Sequence, residues 1–203
     1  MIIEISKRII FIILFLSITS VYGNENKSNR IEVLVNENII TKYDIIQRMK
    51  INSILRRIEI NDDNYNQLLN AVVDDLITEK LKIKKIEEFN INFDADEFDQ
   101  HEKRFFSSID YIKQDLEKLF SINDIDFIYL TEFLEVDLKW QKLIYGLYLR
   151  VTSVTDQEIS DLMSKNLDLD KETASDLILQ RQLELKSIKL LKDLKDEATI
   201  EYR

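Results

Sequence analysis

The 203-residue sequence contains no cysteine, no proline, two glycines and one histidine. Each shortage removes a class of chemistry. Without cysteine there is no disulfide framework, no thiolate zinc site, no iron–sulfur cluster and no thiol nucleophile. Two glycines cannot build a phosphate-cradling loop or a dinucleotide fingerprint, because both need several backbone positions that only glycine tolerates. One histidine cannot supply a two-histidine metal site. Positive charge is also short: 28 Lys and Arg stand against 38 Asp and Glu, a formal net charge of -10. Phosphate backbones repel such a chain, which argues against nucleic acid as a partner. Apolar residues, by contrast, are plentiful. With 45% hydrophobic residues, the chain can bury a core and is too apolar for disorder.

The long apolar run lies at the start. Lys7 and Arg8 form a positive region, and Ile9 to Leu16 is unbroken apolar sequence. Val21 and Gly23 are small enough for the -3 and -1 positions of a signal-peptidase site. Ser17, Thr19 and Ser20 interrupt the apolar character, and the run is shorter than the roughly 20 residues of a membrane span. The expectation is a signal peptide over 1–23, cleaved after Gly23, and an exported domain over 24–203 with no membrane span once cleaved. Retention as an uncleaved anchor is the alternative. No cysteine follows, so a lipoprotein anchor is excluded.

Ile31, Val33 and Val35 alternate as a strand does, Asn36 to Asn38 reads as a turn, and Ile39 and Ile40 as a returning strand. Thr41 with Asp44 is a helix start, and that helix should run to about Arg57. From Asp62–Asn64 to about Phe89, apolar residues recur at spacings of 3, 4 and 7, the signature of one buried helical face. Shorter helices are expected over Asp94 to Ser107 and Ile109 to Phe120. Asn123 and Asp124 should cap a long apolar helix reaching Leu149 at the centre of the bundle. Val151 to Val154 is β-branched and predicts a short strand. Thr155 and Glu158 match a capping box, opening a helix to about Leu167. Lys171 to Glu197 predicts a last long helix with Ala174, Leu177, Ile178, Leu185, Ile188, Leu191 and Leu194 on one face. Alternation returns at Ala198 to Tyr202, and a strand there needs a partner, for which the first strand is the candidate. The fold class is therefore mainly α, a multi-helix bundle with a small β-sheet joining an N-terminal hairpin to a C-terminal strand.

Few residues carry candidate chemistry. His101, four positions after Glu97, lacks a recognised ligand set and reads as an exposed histidine beside a carboxylate. Asp94, Asp96, Glu97, Asp99 and Glu102 lack the glycine turn and oxygen spacing of a calcium loop and read as a charged helix start. Ser107 and Ser108 have no histidine–aspartate partner and read as caps of the next helix. Lys80, Lys82, Lys84 and Lys85 are flanked by Glu79, Glu87 and Glu88 and read as a solvated face. Neither catalytic, cofactor-binding nor metal-binding residues are identified. The most suggestive feature is aromatic: Phe105, Phe106, Tyr111, Phe120, Phe127, Tyr129 and Phe133. These residues pack a core or line a groove for apolar peptide segments, and periodicity does not separate the two.

The segment Val35, Asn36, Ile39, Ile40, Thr41 and Asp44 resembles the strand–turn–strand entrance of SurA-type periplasmic chaperones. Phe89 and Ile91, the helix ending at Leu149 to Val151, the start at Thr155 to Ile159, and the closing helix and strand follow that family's order. The resemblance covers nearly all of 31–203. It implies an ATP-independent periplasmic holdase for unfolded outer-membrane β-barrel proteins, with no cofactor. It departs from the family in one respect. The parvulin prolyl-isomerase domains that usually precede the last helix have no room within Thr155 to Arg203, and Gly146 is the one glycine after the leader. Isomerase activity is therefore not carried over, and no enzyme is expected. Met49, Phe105, Phe106, Tyr111, Phe127, Tyr129 and Phe133 are the candidate client-binding residues, since flexible and aromatic side chains adapt to many sequences. The alternatives are an exported adaptor binding one envelope partner through a helix face, and a degenerate isomerase.

Overall fold

The computed structural model describes residues 30–203, so the leader and its cleavage site lie outside the described residues. Strand β1 (Ile31–Val35) pairs antiparallel with β2 (Asn38–Thr41), setting Val33 opposite Ile40 and Leu34 opposite Ile39. Val33, Val35 and Ile40 point inward and are buried, which is the one-sided burial their alternation requires. Asn36 makes the turn with a φ of 52°. That left-handed conformation usually falls to glycine, and in a chain so poor in glycine Asn36, Arg57, Asn90 and Asp124 adopt it instead.

Thr41 ends β2 and caps α1 (Lys42–Arg56). Its hydroxyl accepts from the Asp44 N–H at 3.2 Å, and the Asp44 carboxylate accepts from the Thr41 N–H at 2.8 Å. Two orphan donors are thereby satisfied. The helix closes at Arg57, where the N–H groups of Arg57 and Ile58 reach back to the carbonyls of Ile54 and Ser53. Helix α2 (Tyr65–Glu88) follows, its 24 residues about 36 Å long at the standard rise. Then come α3 (Ala95–Ser108), α4 (Lys113–Ile122), α5 (Ile128–Tyr148), α6 (Asp156–Lys165), α7 (Lys171–Glu197) and β3 (Ile200–Tyr202).

β3 adds antiparallel to the free edge of β1, with Val33 opposite Tyr202 and Val35 opposite Ile200, giving the order β2-β1-β3. The Asn36 side chain ties the junction by accepting from the Thr199 N–H at 3.0 Å. The sheet joins the hairpin to the last strand as expected.

Three apolar clusters fill the interior. The first lies under the sheet and joins Val33, Val35, Ile40, Ile45 and Met49 to Val72, Leu76, Ile77 and Leu81 of α2. The second gathers Ile51, Leu116, Phe120, Ile125, Leu130 and Leu134 between α1, α4 and the start of α5. The third sets Ile86, Trp140, Leu143 and Ile144 against Leu183 of α7. Helix α5 runs through the second and third and packs on α1, α2, α3 and α7, which is the central position its apolar circumference predicts.

Three local expectations are corrected. Val151 to Val154 forms no strand: a 3-10 turn (Leu149–Val151) continues α5, and the residues that follow pair with no strand of the described sheet. Asn123 and Asp124 do not cap α5. The Asn123 side chain donates back to the Leu119 carbonyl at the end of α4, while Asp126 accepts from the Ile128 N–H. Ser107 and Ser108 do not cap α4 either, since their hydroxyls donate to the carbonyls of Lys103 and Phe105 in their own helix.

Candidate functional site

The aromatic residues singled out in the sequence are brought together in part. Phe105, Phe106, Tyr111, Phe127 and Tyr129 stand half-buried around the second cluster, where α3, α4 and α5 converge. Phe105 and Phe106 meet edge to face with centroids 5.3 Å apart, and Phe127 packs against the fully buried Phe120 at 5.6 Å. Tyr111 donates to the Ile54 carbonyl at 3.3 Å and lies beneath the Arg57 guanidinium. Burial, with smaller contributions from Asp44 and Tyr43, pushes the Tyr129 phenol up to about 12. Met49 lies elsewhere, in the first cluster, and is only 6% exposed. Phe133 stands apart at the mouth of a cleft of about 230 Å³, with the Arg48 guanidinium 5.1 Å from its ring centre. Arg48 is buried and paired to Glu79 at 2.5 Å, so it fastens α1 to α2.

His101 is not exposed. It is 6% accessible and faces Asp137 of α5 at 3.3 Å, with no hydrogen-bond partner for Nε2. Burial lowers its pKa, and the Asp137 carboxylate only partly offsets this. One turn earlier Glu97 takes Lys142 at 2.6 Å, so both residues of the i, i+4 pair dock α3 on α5. The Lys142 ammonium holds the Glu97 carboxyl below the usual range. The lysines of α2 do not form one solvated face: Lys80, Lys82 and Lys85 are half-buried, with Lys85 paired to Glu88 and Lys82 over the ring of the buried Trp140. No group of three or more His, Asp or Glu able to hold a metal occurs among the described residues. None of their helices is long and apolar enough to cross a membrane.

Open apolar relief also lies on α7. The residues expected on one face do not share one environment. Ala174 is buried and Ile178, Leu191 and Leu194 are half-buried, whereas Leu177, Leu185 and Ile188 are 44%, 58% and 57% exposed. At 100° per residue these three leave the helix within an 80° arc and form a ridge. A groove of about 440 Å³ lies between α6 and α7, lined by Leu162, Leu177, Ile178 and Leu185. A second, of about 430 Å³, lies toward α5, with Trp140, Ile144, Tyr145 and Leu183 on its walls. One signal could have pointed here. Leu179, Leu183 and Leu190 give α7 a further apolar face, so the helix carries more apolar surface than one core contact uses.

No family model and no curated protein matches the sequence. The architecture does have a solved counterpart. The chain superposes on one from the work describing the virulence factor PEB4 and the periplasmic protein Cj1289 as two structurally related SurA-like chaperones of Campylobacter jejuni. The TM-score is 0.52 at 14% identity, covering 86% of this chain and 99% of that one. The fold is SurA-like. Within it, only residues 166–170 separate α6 from α7.

Proposed function

We propose that this protein is an ATP-independent holdase of the periplasm, which keeps unfolded outer-membrane proteins soluble and does not isomerise prolyl bonds. The SurA-like fold carries this reading. Binding is the mechanism. A holdase needs apolar surface open to solvent and side chains that tolerate many sequences. The exposed ridge of α7 and the half-buried edges of Phe105, Phe106, Tyr111, Phe127, Tyr129 and Phe133 supply surface of that kind. Met49 would take part only if α1 moved, since it sits in the core. The short α6–α7 connection supports the absence of an isomerase domain. Export by the leader over 1–23, with cleavage after Gly23, belongs to the same reading.

Light scattering tests it. A denatured β-barrel is diluted into buffer with and without the purified protein. The expected result is suppressed aggregation near stoichiometric ratios, without nucleotide. No suppression by protein shown to be folded by circular dichroism would discard the holdase in favour of an adaptor for a single partner.

A further inference from the structure

The chain's one histidine is the only fully buried side chain of α3. Its Nε2 faces Oδ2 of Asp137, on α5, at 3.3 Å and makes no hydrogen bond. That oxygen is already engaged, since the Gln141 amide donates to it at 2.8 Å. The charged groups that act on the ring are Asp137 from α5 and Arg104, three residues on in α3. The neighbouring carboxylates of α3 are held elsewhere, Glu97 by Lys142 of α5 and Glu102 by Lys113 of α4. A proton on His101 would therefore place a cation in a buried site, near a second cation, with a shared carboxylate as its counter-charge. Burial outweighs the attraction of Asp137 and disfavours the charged ring.

The rest of the attachment of α3 is open to solvent. The helix packs mainly on α5. Its ion pairs to Lys142 and Lys113 are partly exposed and weak for that reason. Phe98, Phe105 and Phe106 are half-buried where they pack against the second cluster. We propose that His101 is a proton-operated latch, whose protonation releases α3 from α5 and uncovers Phe98, Phe105, Phe106 and the cluster they pack on. The latch works in a window of its own. With one histidine and no cysteine, no other side chain of the sequence has its ordinary pKa between pH 5.5 and 7.5. In released α3 the ring titrates near 6.5, and in docked α3 it titrates lower. Docking is thus complete above about pH 6.5 and weakens as pH falls below it. The inference rests on the holdase reading for its use, and deepens it by making the aromatic surface larger in mild acid.

Native-state hydrogen exchange of the purified protein at pH 7.5 and 5.5 tests the latch, with rates corrected for the intrinsic effect of pH. Protection of the amides of 95–108, relative to those of α2, is expected to fall by up to about tenfold. That is the limit for one proton taken up by an open state with a pKa near 6.5. H101Q takes up no proton here and should keep the same relative protection at both pH values. Binding of the dye 8-anilinonaphthalene-1-sulfonate should rise at pH 5.5 in the parent and not in H101Q. Relative protection of α3 that is unchanged in the parent, or that falls equally in H101Q, would overturn the latch. So would an equal loss across α2 and α3, which is loosening of the whole molecule. The parent measurement decides the matter even if H101Q does not fold. The aggregation assay separates this from the functional reading. If α3 is released in acid but aggregation is not suppressed at either pH, the holdase falls and the latch stands. If aggregation is suppressed and α3 stays protected at pH 5.5, the holdase stands and the latch falls.

Discussion

A buried histidine facing a carboxylate makes stability depend on pH in a known direction. His101 has a folded-state pKa lowered by burial, so the unfolded chain takes up its proton first as pH falls below about 6.5. The contribution is intact above that value and is lost as pH falls from there through the lowered folded value. Thermal unfolding should show a lower midpoint at pH 5.5 than at pH 7.5, and H101Q should flatten that difference. A second residue-scale prediction concerns Arg48 and Glu79, paired with little solvent access. Arg48→Ala leaves a poorly hydrated carboxylate and should cost about 3 kcal/mol in urea unfolding. Arg48→Met with Glu79→Leu should recover most of it, because no charge is then stranded. Neither environment was legible in the sequence. His101 sits in a run of charged residues that reads as surface, and the Asp137 that covers it comes from the next helix but one.

At the level of elements, helix starts were the most legible feature, because capping chemistry is local. Thr41 with Asp44 and Thr155 with Glu158 both form the reciprocal box that their spacing predicts. Asp94 with Glu97, read from sequence only as a charged start, forms the same arrangement. Thr155→Ala should destabilise α6 by about 1 kcal/mol, measurable as a loss of helicity at 222 nm before the main transition. Ser107→Ala and Ser108→Ala should cost far less, since those hydroxyls only back-bond within α3. Strands were legible less evenly. β3 was identifiable because a partner edge was available on β1, whereas the β-branched residues after α5 had none. Burial on α7 was the least legible property. Periodicity says which residues share a helical face, but not whether a neighbouring helix covers it.

The whole molecule is unevenly stabilised. Helices α2 and α5 each contribute several side chains to the clusters, while α6 buries only Ile159. Amide hydrogen exchange should therefore be slowest in α2 and α5 and fastest, among helices, in α6. Acid should loosen the packing of α6 and α7. Asp156 beside Lys171, Glu158 at the Thr155 cap and Asp170 at the Thr173 N–H all have lowered pKa values. Their contributions are present above the ordinary carboxylate range and are lost as pH falls below about 4. Pepsin at pH 3 should cut first between Asp156 and Leu185.

The pairing of β3 with β1 also fixes an order of events. Thr199 and Asn36 meet across a separation of 163 residues. Closing a loop of that length is entropically costly, and contacts of such long range slow folding. A chain emerging from its N-terminus therefore carries β1 with one unsatisfied hydrogen-bonding edge until every helix has been made. The sheet completes last, and in that interval the nascent protein has the same exposed edge that makes other chains prone to aggregate.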